Sequence, residues 1–247
     1  METAARHHSK LKPIQQTYLW VFISGYSLAF FLANWFDPRL INVFGLNTGA
    51  GSFVFPLTYL ISDIITEVYG YKHARIAVWT ALLFFLIFIL FDQWVVAALA
   101  SGSISQVALS TFLMTSNRIL LASILSYLVT ESINSYIVAK LKISLKGKYM
   151  GIRFIGSTLT AYTINELIYA PIAFYGLIPN FKHFIHHMLA SWVFMVSIEL
   201  LLLPFSIRLA KHLKIIENLD IYDTQTNFNP FSLNTDYPKQ NNKSKKN

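Results

Sequence analysis

Two carboxylates four residues apart, Asp63 and Glu67, lie in the stretch FPLTYLISDIITEVYGYKHAR, which begins at Phe55 inside a long apolar run. On a helix, positions i and i+4 share one face. A carboxylate at mid-bilayer costs about 2.5–3.5 kcal/mol on insertion scales. Two on one face therefore make sense where that face looks into a polar cavity. Glu131, Glu166 and Glu199 also interrupt apolar runs, and Asn134 and Asn165 stand close to the first two. Such a set accepts hydrogen bonds from N–H groups, donates from its amides and attracts cations. The bland reading is that these acids are protonated, or join helices by hydrogen bonds. Burying so many is costly enough to favour a polar, solute-binding cavity. Glu199, alone in an otherwise apolar run, has the least support.

Other chemistries find little footing. With no cysteine there is no disulfide framework, zinc–thiolate site or thiol nucleophile. His183, His186 and His187 resemble one box of a membrane di-iron site, but such a site needs many more nitrogen ligands. The rest are His7, His8, His73 and His212. Interfacial histidines are the plainer reading, and neither metal nor cofactor is expected. HExxH and GxSxG are absent, and the GLNTGAG stretch at 45–51 lacks the Lys-Ser/Thr of a phosphate loop. Its glycines suit a tight or re-entrant turn. Arg75, Arg118 and Arg153 stand at the ends of apolar runs, where they set topology and snorkel, or contact the ligand.

The elements that must position these residues are membrane spans. Hydrophobic residues make up 54% of the chain and charged ones only 13%, against about 25% charged in a soluble domain. The uncharged runs predict six helices, at about 17–36, 52–69, 74–91, 118–139, 152–174 and 184–209, in an all-α bundle occupying 17–212. The first is longer than the roughly 7–15-residue core of a signal peptide and has no clear cleavage site, so it reads as retained. Residues 93–117 read as an outer loop with a short interfacial helix. Residues 1–16 form a polar lead, and 213–247 a polar tail expected to be disordered.

The lead, the 70–75 loop, the 140–153 loop and the stretch after Phe205 hold three, two, five and seven of the 20 Lys and Arg. The opposite loops hold only Arg39, Arg118 and Lys182. Both termini are therefore expected in the cytoplasm. The same distribution argues against direct nucleic-acid binding, because the charge flanks spans instead of forming a face. Two groups of three spans, entering from opposite sides, would suit an inverted-repeat transporter.

Phe55-Pro56, Asp63, Tyr69-Gly70 and Ala74-Arg75 resemble the leading motif of the queuosine precursor transporter family, also called the vitamin uptake transporter family. Arg118 with Ala122-Ser123 and Tyr127, and Arg153 with Ser157-Thr158 and Ala173-Phe174, resemble its later motifs. The similarity covers about 17–212. It implies a six-helix bacterial inner-membrane protein that imports 7-deazaguanine bases for queuosine in tRNA. Spans four and five of that family each carry Gln-x-x-Asp, where this chain has Glu131-x-x-Asn134 and Tyr162-x-x-Asn165. A guanine-like edge would be met by Asp63, Glu131, Asn134 and Asn165. Glu67, Glu166, Arg75, Arg118 and Arg153 stand as secondary binding or coupling candidates. The competing readings are a binding subunit for another vitamin or nucleobase-like solute that depends on an ATPase partner, an intramembrane enzyme, and an assembly factor.

Overall fold

The computed structural model describes residues 16–43, 45–98, 104–176, 178 and 180–244. Its helices are α1 (Leu19–Phe36), α2 (Phe55–Tyr69), α3 (Tyr71–Ala97), α4 (Ile104–Ser144), α5 (Met150–Phe174) and α6 (Phe181–Ile216). The fold is an all-α membrane bundle. Stretches within α1, α2, α3, α4 and α6 are long and apolar enough to cross a bilayer. Helix α5 is not among them: it carries Arg153, Asn165 and Glu166 among several Ser and Thr, and packs between α4 and α6.

Local chemistry places the helix ends. Pro56 sits in the first turn of α2, where its missing N–H costs nothing. Gly70 ends α2 at φ 88°, a conformation open to glycine, so α3 starts one residue later at a new angle. Asn180 caps α6 by accepting from the Lys182 amide at 2.8 Å. Between α1 and α2 the glycine-containing stretch forms a hairpin, β1 (Leu40–Val43) against β2 (Leu46–Gly49), followed by a 3₁₀ turn at Ala50–Phe53. This hairpin end and the opposite, lysine-rich end (the basic end) define the two mouths of the bundle. The Thr17 and Tyr18 amides donate to Glu217, so the start of α1 and the end of α6 meet at the basic end.

Two sequence expectations are corrected. The predicted loop at 93–117 is largely helical: α3 runs on to Ala97 and α4 begins at Ile104. Residues 104–117 contain neither Gly nor Pro, so nothing in their backbone chemistry stops the helix. The predicted disordered tail also differs: α6 continues to Ile216, and residues 217–244 fold back as a strap across the basic end. Composition hides this, because the strap combines many polar contacts with only a few apolar anchors, among them Leu219 and Ile221. Residues 1–15 and 245–247 lie outside the described set.

The main apolar core joins α1, α2 and α3, with Phe30, Ile64, Val68, Val78 and Phe85 buried together with Leu213 of α6 and Ile221 of the strap. A smaller core of Tyr59, Ala161, Tyr162 and Met195 ties α2 to α5 and α6. The acids sit between these two masses.

Candidate functional site

At the hairpin end a cavity of about 560 Å³, measured out to its open mouth, enters the bundle among α1, α2, α4, α5 and α6. Asp37, Asn34, Tyr169 and His187 line it along with Asn165 and Glu166, while Phe30, Phe55 and Met195 bring apolar surface. Tyr169 donates its hydroxyl to Asp37. Burial raises the Asp37 carboxyl to about 6, and that hydroxyl pulls it back only in part. Gly49 and Gly51 press against Asp37 and Ala33: a side chain at Gly51 would meet the Ala33 carbonyl oxygen at 2.0 Å. The hairpin therefore seats directly on the end of α1.

Beyond this cavity lies a wholly buried polar layer. Asp63 is eight residues along α2 from Phe55, about 12 Å deeper at 1.5 Å per residue. The Asn134 amide donates to Asp63 Oδ1 at 2.7 Å, and the hydroxyls of Ser62 and Ser135 meet at 3.2 Å, so α2 and α4 join at this depth. Asp63 Oδ2, Asn134 Oδ1 and both oxygens of Glu131 have no hydrogen-bond partner. The hydroxyls of Ser62, Tyr26 and Thr58 face Glu131, yet none completes a well-formed bond with it. Glu199 and Glu131 are both near enough to Asp63 to interact with it electrostatically. Tyr59 and Tyr162 meet edge to face at 4.7 Å between ring centres, with Phe55 5.6 Å from Tyr59. Both tyrosine hydroxyls are likewise without partners.

Native interiors seldom leave so many polar atoms unmet, because each costs roughly 1–3 kcal/mol. Here they converge from α1, α2, α4, α5 and α6. Carboxylate, amide and phenol groups beside flat rings can together bind a planar molecule with several N–H donors. Among the described residues no group of three or more His, Cys, Asp or Glu is placed to hold a metal.

Comparison with known proteins identifies the family. A family described as "Putative vitamin uptake transporter" matches residues 49–209, from the hairpin's last residue into α6. The chain belongs to this family. It is a membrane transporter, not an enzyme. It is 25% identical over 170 residues to a "Probable queuosine precursor transporter" of Bacillus subtilis (strain 168), covering 68% of this chain and 74% of that protein. No solved structure matches.

The transporter divides the sequence-predicted residues into three groups. Asp63, Glu131 and Asn134 stand together in the buried layer. Asn165 and Glu166 line the open cavity, with Asn165 Oδ1 unpartnered. The others serve elsewhere. Arg153, fully buried, makes a two-pronged pair with Glu67, its Nη2 donating to Oε1 at 3.0 Å. Arg75 donates to the strap carbonyls of Asn229 and Asn234, each at 2.8 Å. Arg118 donates to the Ile172 and Tyr175 carbonyls at 2.5 and 2.7 Å, capping the end of α5. At the hairpin end, His186 bonds the Lys182 carbonyl and His187 packs on Phe174.

Sequence reasoning did not single out Tyr26, Tyr59 or Tyr162, which the structure places in the same layer, and it gave Glu199, which lies near Asp63, the least support. The tyrosines look like ordinary packing aromatics until their hydroxyls are found buried and unmet. The proximity of Glu199 to the carboxylates of α2 and α4 is a tertiary fact that its own apolar run does not show.

Proposed function

We propose that this transporter imports 7-deazaguanine precursors of queuosine, with the buried layer as the binding site and the hairpin-end cavity as the approach to it. The observation that carries the reading is the set of unpartnered side-chain atoms on Asp63, Glu131, Asn134, Tyr59 and Tyr162. A guanine-like edge pairs adjacent N–H donors with a carbonyl acceptor. A carboxylate such as Asp63 accepts the donors, and an amide or phenol donates to the carbonyl. Tyr59, Tyr162 and Phe55 supply ring surface for the flat base. An aminomethyl substituent is a cation and finds Glu131 or Glu199 without a basic competitor described beside them. Family membership and the name of the Bacillus relative support the substrate class.

The lysine-rich end is the cytoplasmic side in this reading, because Lys and Arg concentrate in cytoplasmic loops. The cavity then faces outward across a bacterial inner membrane, and the described structure is closed on the inside. Rocking of α1–α3 against α4–α6 would exchange access between the two mouths.

The test is the queuosine content of tRNA in a bacterial host lacking both precursor synthesis and its own importer, supplied with low concentrations of either base. The native chain should restore queuosine, and Asp63→Asn at equal membrane abundance should not. Well-expressed native protein that restores nothing with either base removes this substrate class.

A further inference from the structure

The basic end is closed by two layers. The inner layer is a charge network: Glu67 of α2 meets Arg153 of α5, Lys214 of α6 at 2.5 Å and Lys142 of α4 at 3.8 Å. Asp220 of the strap completes it, 2.8 Å from Lys142 and 2.7 Å from Lys214. Four helices therefore converge on one carboxylate, and a strap residue neutralises two of the same cations.

The outer layer is the strap. Its Ile221 amide donates to the Val68 carbonyl at 3.3 Å, and its Ile221 carbonyl accepts from Lys142 at 2.7 Å. Asp223 accepts from the Tyr71 amide at 3.0 Å and from the Tyr237 hydroxyl at 2.6 Å. Tyr237 in turn accepts from the Lys72 amide at 2.9 Å. Trp79 donates to the Pro230 carbonyl at 2.7 Å. The fit is tight at both turns it crosses. A methyl group on Gly70 would meet Tyr237 Oη at 2.5 Å, and one on Gly147 would meet Tyr222 Oη at 2.1 Å.

We propose that the strap is the latch of the transporter's inner gate. It docks on the ends of α2, α3 and α4 and supplies Asp220 to the charge network, and it must part from them before the polar layer can open to the basic end. The contact joins these polar bonds to apolar anchors, with Leu219 and Ile221 in the main core and Phe228 and Phe231 against Tyr71, Tyr136 and Trp79. The strap also lies beyond the residues matched by the family, 49–209, so it can regulate access without being part of the matched transport unit. This inference rests on reading the layer as a transport site.

The native chain has no cysteine, so added cysteines report alone. The paired variant Val68→Cys with Ile221→Cys joins two buried neighbours, one on α2 and one on the strap. Reduced, it should accumulate the base. Oxidised to the disulfide, it should lose transport, and reductant should restore it. Transport undiminished in the cross-linked protein overturns the latch. A second arm needs no substrate. Thr66→Cys, buried between the layer and the gate, is labelled in inside-out vesicles with a membrane-impermeant maleimide. Adding Asp220→Asn should raise the labelling rate several-fold, and an unchanged rate overturns the latch. If labelling responds but neither base is taken up, the substrate reading falls and the latch stands. If uptake occurs and both arms are indifferent, the reverse holds.

Discussion

Asp63 and Glu67 lie one turn apart on α2, and replacing each with its amide should have opposite consequences. Glu67 is fully buried and answers three cations. In Glu67→Gln, Lys142 and Lys214 keep Asp220, but Arg153, with 0% of its side chain exposed, pairs with no other carboxylate among the described residues. Breaking a buried pair by removing one partner costs about 3–5 kcal/mol, because the remaining charge is left uncompensated in a dry site. For a chain of this size, roughly 2–4 °C per kcal/mol gives a fall in Tm of about 6–20 °C. Asp63 makes no ion pair, and its bond from Asn134 survives in Asp63→Asn, because the new amide oxygen still accepts. The expected stability change is therefore within about 1 kcal/mol, or at most about 4 °C.

Function should sort the other way for Asp63. Losing a charge-assisted hydrogen bond to the base costs about 1.5–3 kcal/mol, which is roughly ten- to hundred-fold in affinity. The assay is thermal unfolding of both purified variants in one detergent, followed by base binding at a temperature where both remain folded. Equal losses of Tm would show Asp63 to be a structural acid like Glu67. An unshifted Tm in Glu67→Gln would refute the claim that the charge network holds the basic end together.

Removing the phenol of Tyr59 or Tyr162 by substitution with Phe keeps the ring and loses only an unpartnered hydroxyl; base affinity should fall while Tm is unchanged or rises, measured by binding and unfolding on one sample. Asp37, raised to about 6 by burial, is neutral below that value and ionised above it. Its contribution to stability is thus full below the ordinary carboxylate range and is lost as pH rises through about 6. Unfolding midpoints of native protein should decline across that window, and those of Asp37→Asn should not. Gly70→Ala forces a side chain into φ 88° and against Tyr237; limited proteolysis should cut the strap faster than in native protein, with α1–α6 still protected.

What the sequence made legible follows from how each feature is encoded. Spans are written by continuous apolarity, so six helices could be counted without a structure. The acids stood out because charge inside such runs is expensive. Whether an acid serves a ligand or a helix junction depends on what stands opposite, and that is a tertiary fact. Asp63 and Glu67 share a span, a charge and nearly a depth. One faces an amide and other carboxylates, while the other faces Arg153, Lys142 and Lys214, which come from three other helices or their ends. Arg75 and Lys142 read correctly as residues near a basic boundary, yet their partners are backbone carbonyls and acids of a strap some 80 to 160 residues away. Polar, low-hydrophobicity segments are read as disordered because they cannot bury enough apolar surface to offset ordering entropy. The strap escapes that rule because the membrane bundle is already folded beneath it. A few apolar anchors such as Leu219 and Ile221 then suffice, while Asp220, Asp223 and Tyr237 satisfy helix ends and cations. A polar tail on a membrane protein should therefore be judged against the charges at the bundle end it can reach, not against its own hydrophobicity.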